Sequence, residues 1–269
     1  MTAAQAYSVC RTIAKREAKN FYYAFRVLPQ HKSDAMCAVY AFMRKADDIS
    51  DDESMPVEQR REAMQEWVES WRAARTSGVT DDPVFFALND TQKRFAIPDG
   101  LLEELVQGTT MDLDPRAEGA VQTCADFAEL YRYCYLVASV VGLVCIRIFG
   151  YTDKRAEKLS EETGIAFQLT NILRDVKEDV ERGRVYLPLD MMAAHGVSVE
   201  RVKELAAGAA MTDDDRAVLD ELAAKAEEYY GSANELMPLI DADSRAALWV
   251  LAMIYYDLLA RIRAKRCDV

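Results

Sequence analysis

Apolar side chains recur at three- and four-residue spacing along almost the whole chain, and no stretch alternates convincingly with a period of two. That spacing predicts helices at 3–18, 20–26, 31–50, 57–75, 82–94, 99–111, 124–132, 133–150, 154–180, 200–207, 212–231, 233–238 and 243–266. The breaks fall at Pro29, Pro56, Pro98, Pro115 and Gly150 and in "ERGRVYLP". Asn20, Ser33, Asp126 and Asp243 stand where helix caps are expected. No repeat, low-complexity segment or long linker interrupts the pattern, so the expectation is one all-α domain over residues 1–269.

Two helices are apolar on nearly every face: "YLVASVVGLVCIRIFG" (Tyr135–Gly150) and "ALWVLAMIYYDLLA" (Ala247–Ala260). Such helices belong inside a fold. The first run is 16 residues and contains Arg147, whereas a membrane-spanning helix needs about 20 apolar residues. Ala138, Ser139 and Gly142 leave room along one face, either for a closely packed neighbour or for an elongated apolar cavity in a helical bundle.

A net charge of −12 argues against nucleic acid as a partner, since that needs a basic footprint. It does not exclude anionic ligands, because a bound divalent cation can reverse the local sign. The cysteines (10, 37, 124, 134, 145 and 267) form no CxxC pair, and only His31 and His195 could join them, so a zinc site is not expected. Reduced, mostly buried thiols in a cytoplasmic protein fit this usage. The N-terminal "MTAAQAYSVCRTIAKREAKN" lacks the uninterrupted apolar segment of a secretory signal.

The acidic residues are unevenly spread. "FMRKADDISDDE" crowds Asp47, Asp48, Asp51, Asp52 and Glu53 at the end of an apolar helix. Asp47 and Asp51 are four apart, as are Asp48 and Asp52, so each pair projects from one helical face. A helix C-terminus already disfavours negative charge. The cluster is either a solvated helix end or a site for a hard cation such as magnesium, held by a few carboxylates together with substrate phosphates. In "GIAFQLTNILRDVKEDVERGRVYLP" (Gly164–Pro188), Gln168, Asn171, Asp175 and Asp179 share one polar stripe. Ile165, Leu169, Ile172, Leu173 and Val176 form the packing face. Arg174, Lys177, Arg182 and Arg184 lie close by, as a surface ion-pair lattice or as grips for diphosphate oxygens. Two such helices facing each other could bridge two or three magnesium ions to a diphosphate, whose departure would leave an allylic carbocation in an apolar, water-free chamber.

At these blocks the chain resembles the squalene/phytoene synthase family of head-to-head prenyl transferases. The resemblance runs from "KNFYYAFRVLP" to about "YYDLLARI" and is strongest in "AVYAFMRKADDISDD", "YCYLVASVVGLVCIRIFG" and "FQLTNILRDVKEDVERGRVYLP". It implies a class I isoprenoid synthase bundle with a central apolar cavity. It further implies that Asp47 and Asp51 form a first metal-binding motif and Asp175 and Asp179, with Asn171, a second. Lys19, Arg44, Gln168, Arg174 and Arg184 fall on substrate-binding positions. Tyr133 matches a tyrosine near the reacting carbons, although a buried structural tyrosine reads the same way. Lys19-Asn20-Phe21 departs from the relatives' Ser-x-Ser-Phe, and Ser139 stands where glycine is common.

The implied reaction ionises one prenyl diphosphate and alkylates it with a second to a cyclopropylcarbinyl diphosphate. The blocks "YAFRVLPQHKSDAMCAVYAFMRKADD" and "VGLVCIRIFGY" resemble the bacterial presqualene diphosphate and squalene branch, which implies two farnesyl diphosphates. NADPH would be needed if the reaction continues to squalene, yet no Gly-rich dinucleotide fingerprint follows a strand. Phytoene or dehydrosqualene synthesis is the alternative within the family. A terpene cyclase or a catalytically dead helical scaffold is the alternative outside it. "ARIRAKRCDV" is basic, favourable at a helix C-terminus and able to touch anionic lipid. A cytoplasmic enzyme, peripheral to the inner membrane face during product release, is the expected setting.

Overall fold

The computed structural model describes residues 1–18, 20–52, 54–113 and 120–265, the side chains of Asn20 and Asp112 excepted. The all-α expectation holds. The residues group into two compact units, each assembled from separate stretches of chain: unit 1 from Met1–Pro115, Leu143–Lys154 and Met237–Leu251, and unit 2 from Arg116–Gly142, Arg155–Leu236 and Ala252–Val269.

Unit 1 opens with α1 (Ala3–Glu17), α2 (Asn20–Arg26), α3 (Gln30–Ser50), α4 (Val57–Ser77), α5 (Pro83–Arg94) and α6 (Asp99–Thr110). Thr2 starts α1 through a capping box with Gln5. Asp82 caps α5 by accepting from the Val84 and Phe85 amides, with Pro83 at the first helical position. α3 begins at Gln30, straight after Pro29, so Ser33 lies inside the helix and caps nothing. α1 packs on α3 and α5, and the Tyr7 hydroxyl donates to Asp90 at 2.8 Å. Phe42, Trp67, Trp71 and Phe85 form an aromatic cluster, with Phe42 and Trp67 centroids 4.6 Å apart.

Lys32 is buried in this unit with its charge fully used. Its ammonium donates to Phe149 O at 2.7 Å, Asp243 Oδ1 at 2.6 Å and Ser244 Oγ at 3.0 Å. Asp243 therefore receives a buried cation, and the last long helix, α14 (Arg245–Ala264), begins after it. Gly150 sits at φ 82°, and a Cβ there would collide with the Asp241 carboxylate at 2.0 Å.

Unit 2 is built on α9 (Arg155–Arg174) packed along α13 (Asp213–Leu236). The predicted break at residue 232 is absent: Gly231 is accommodated inside α13, a cost of about 1 kcal/mol against alanine that packing outweighs. The predicted break between 132 and 133 is also absent. α7 (Phe127–Cys134), capped by Asp126, runs through a π-helical stretch at Tyr135–Ser139 into α8 (Val140–Phe149). This 23-residue run, with a mean hydropathy of 1.7 over its best window, is long and apolar enough to cross a membrane. Leu130, Cys134, Val140, Val144 and Ile148 along it are buried. The tight-packing reading holds at Ser139: Gly164 of α9 lies so close that a Cβ would stand 2.5 Å from the Ser139 Cα.

The predicted helix 154–180 divides at Asp175, beyond which α10 spans Val176–Glu181. A two-residue parallel pair not expected from the sequence follows: β1 (Gln122–Thr123) lies beside β2 (Arg184–Val185), Gln122 opposite Arg184. α11 (Leu189–Ala194) is likewise not expected, being too short to show a period, and α12 (Val199–Ala206) precedes α13. Cys10, Cys37, Cys124 and Cys134 are buried free thiols, and burial pushes Cys10 and Cys37 up to about 12.

Candidate active site

In unit 1 the first acidic group occupies the end of α3. Asp47 is half-buried, Asp48 exposed, and Asp51 is the C-capping residue, its amide donating to Asp47 O at 2.8 Å. Arg44, one turn earlier, pairs with Asp48 at 2.7 Å. Burial opposes the Arg44 charge, but Asp48, Glu17 and Asp47 together outweigh it and raise its pKa. Tyr40 lies beside the same groups, its pKa raised chiefly by burial. Asp52 serves the turn that follows, where its carboxylate accepts from the Ser54 amide at 3.0 Å and the Ser54 hydroxyl at 2.5 Å. Asp48 and Asp52 are thus engaged with neighbours, while Asp47 and Asp51 keep the four-residue spacing.

In unit 2 the polar stripe survives the division at Asp175. The Asp175 amide donates to Asn171 O at 2.9 Å and the Asp179 amide to Asp175 O at 2.8 Å, so the i, i+4 ladder passes through the junction. Asn171 Nδ2 donates to Gln168 Oε1 at 3.2 Å, which turns Asn171 Oδ1 away. That oxygen is buried, and among the described residues it accepts no hydrogen bond. Arg174 holds Asp175 in a two-pronged pair, Nε to Oδ1 at 2.6 Å and Nη2 to Oδ2 at 2.5 Å. Burial first, then Asp175, pushes the Asp179 carboxyl up to about 7, against the lowering influence of Arg184. Opposite the stripe, Ile165, Leu169, Ile172 and Leu173 are buried in the unit 2 core.

Tyr133 stacks on Tyr186 with centroids 4.4 Å apart, two residues before the π-helical stretch. Such π turns recur at functional sites because they redirect side chains within a helix. Spacing and motif do not single out Tyr255. It stacks on Phe167 at 4.4 Å, hydrogen-bonds Asn171 and lies near Arg174 and Asp175, while burial raises its pKa. A tyrosine in an otherwise apolar helix is the one signal the sequence offers for it. Tyr186, inside "RVYLP", is the second such partner. Lys19 lies outside the described residues.

The stripe presents oxygen donors: one amide oxygen without a partner and two carboxylates four residues apart. This set fits a hard cation completed by ligand phosphates. Among the described residues no three His, Cys, Asp or Glu side chains converge on one point, so protein side chains alone form no closed cage.

Residues 14–269 match the squalene/phytoene synthase family. The chain belongs to that family. It is 37% identical over 263 residues to the phytoene synthase of Mycobacterium tuberculosis, covering 97% of this chain and 82% of that protein. It is 32% identical over 250 residues to the presqualene diphosphate synthase of Rhodopseudomonas palustris, covering 91% and 84%. A dehydrosqualene synthase crystal structure with bound ligand superposes with a TM-score of 0.81 at 30% identity, over 98% of this chain and 88% of that one. The chain is accordingly a prenyl transferase of the head-to-head class.

Proposed function

We propose that this enzyme joins two farnesyl diphosphates head to head to give presqualene diphosphate. The observation that carries the reading is the stripe Gln168–Asn171–Asp175–Asp179, in which the buried Asn171 Oδ1 accepts no hydrogen bond among the described residues. Asp47 and Asp51 in unit 1, and Asn171, Asp175 and Asp179 in unit 2, are the residues that would hold Mg²⁺. Bound Mg²⁺ would neutralise the departing diphosphate. Arg44 in unit 1 and Arg174 and Arg184 in unit 2 would grip diphosphate oxygens through their planar guanidiniums, and Lys19 through its charge. As that C–O bond breaks, the allylic cation is captured by the double bond of the second substrate, whose π electrons form the new C–C bond. Loss of a proton then closes the cyclopropane.

The test is product analysis with C15 and C20 diphosphates, each with and without NADPH. A C30 cyclopropyl diphosphate from the C15 substrate supports the reading. Squalene forming only with NADPH extends it. A C15 hydrocarbon or alcohol would mean a cyclase, and no product from either substrate a scaffold. A second reading, phytoene synthesis from two C20 diphosphates, is favoured by the higher identity to the mycobacterial phytoene synthase.

A peripheral place on the inner membrane face belongs to the same proposal, since the C30 chain of the product partitions out of water. Trp249, Met253 and Tyr256 are exposed on α14, and flotation with anionic liposomes tests it.

A further inference from the structure

Arg60 lies in the first turns of α4 and reaches back over the turn that follows α3. Its Nη1 donates to Ser50 O at 2.7 Å. Ser50 is the last residue of α3, so its carbonyl is one of those a helix leaves without an internal donor. The same helix end carries the negative pole of the backbone dipole, together with Asp47 and Asp51. Asp48 is already paired, through Arg44.

The intervening turn is short and stitched. Besides the Ser54 bonds to the Asp52 carboxylate, the Met55 amide donates to Asp52 O at 3.1 Å and the Arg60 amide to Pro56 O at 3.1 Å. The guanidinium closes this loop into a ring running from Ser50 through Pro56 to Arg60 and back. Nothing in composition or periodicity points to Arg60, because its partner is a backbone oxygen ten residues earlier.

We infer that Arg60 is a positioning residue for the first acidic pair: by clamping the last carbonyl of α3 it holds Asp47 and Asp51 at the spacing a diphosphate-bound cation needs. The inference rests on the reading of Asp47 and Asp51 given above. It has a signature that charge alone cannot imitate. Removing a nearby cation strengthens binding of Mg²⁺ or Mn²⁺ if Coulomb attraction is all that matters. Removing a clamp weakens it.

The experiment measures Mn²⁺ binding by titration calorimetry in the presence of inorganic pyrophosphate, and the Mg²⁺ dependence of turnover, for R60M, R60Q, R60K and D47N. Expected for R60M is about a tenfold weaker Mn²⁺ affinity and a matching rise in the Mg²⁺ needed for half-maximal rate, the usual scale for a group that supports a metal ligand. R60K and R60Q, which each keep one donor, should recover most of that loss, and kcat at saturating Mg²⁺ should fall far less. Unchanged or tighter Mn²⁺ binding in R60M, with D47N weakened, overturns the inference. If R60M does not fold, an R60Q or R60K protein binding Mn²⁺ as poorly as D47N overturns it, while near-wild-type binding supports it. Should D47N itself bind Mn²⁺ like wild type, the reading of the first acidic pair has failed instead.

Discussion

Gly164 and Ser139 meet backbone to backbone, so closely that a Cβ on Gly164 would lie 2.5 Å from the Ser139 Cα and 2.8 Å from its amide nitrogen. Neither atom belongs to a flexible side chain that could swing aside. Gly164→Ala should therefore lower stability by about 1–3 kcal/mol, the scale of overpacking in a close-packed interior. Gly142→Ala should cost less, since its new methyl would meet the Ser160 hydroxyl at 3.1 Å and the Ser160 carbonyl oxygen at 3.3 Å, both longer than the Gly164 contacts. Urea unfolding of the two variants checks the contrast.

Lys32 buries an ammonium against Phe149 O, Asp243 and Ser244. Lys32→Met should cost about 3 kcal/mol, because a buried carbonyl and a carboxylate lose their donor together. Thermal unfolding of Lys32→Met alone and combined with Asp243→Asn should show non-additive losses.

Asp215 is buried and anchors Arg201, whose Nη2 donates to its Oδ2 at 2.8 Å, with the Thr212 amide and hydroxyl each at 2.8 Å from the same oxygen. The Arg201 hydrogen bond is the main reason its carboxyl is held down at about 2. The folded value lies below the unfolded one, so the stabilisation is fully present above about pH 4 and disappears as pH falls through 2. Asp215→Asn should lose about 2 kcal/mol at neutral pH. The gap between wild type and variant in urea midpoint should narrow as the pH is lowered from 5 to 2.5.

Tyr133 stacks its ring on that of Tyr186. Tyr133→Phe keeps the stack, and turnover should fall at least about tenfold with a smaller loss of stability than Tyr133→Ala causes, as expected when a polar group acts in the transition state. Tyr133→Ala should lose both. Steady-state kinetics beside thermal melts separates these outcomes.

Asp175→Asn and Asp179→Asn should each reduce turnover by at least about a hundredfold, the scale of losing a group that stabilises developing charge. Activity retained at saturating Mg²⁺ in either variant would count against the assigned roles.

Much of this architecture is legible in advance because proline and glycine punctuate it. Pro29, Pro56 and Pro98 stand immediately before α3, α4 and α6, and the predicted starts differ by a residue at most. Errors arise where tertiary packing, not local chemistry, decides the outcome. Gly231 suggests a stop but lies inside a continuous helix. Nothing between Arg132 and Tyr133 suggests continuity, and the π-helical stretch that follows at Tyr135–Ser139 packs against Gly164, a residue distant in sequence. The acidic stripes are readable from spacing, yet their neighbours are not: Glu17 beside Arg44, Tyr255 on Asn171 and Arg60 on Ser50 are all brought in by other helices.

Each compact unit draws on three separate stretches of chain, and the last of these ends at Leu251 in one and at the C-terminus in the other. A nascent polypeptide emerging from the ribosome therefore cannot complete the earlier unit when its first 115 residues are out. Both must wait for the final helix, with apolar surface uncovered for the seconds that elongation takes. Chaperone dependence during synthesis, and sharp intolerance of deletions within Met237–Leu251, follow from that late closure.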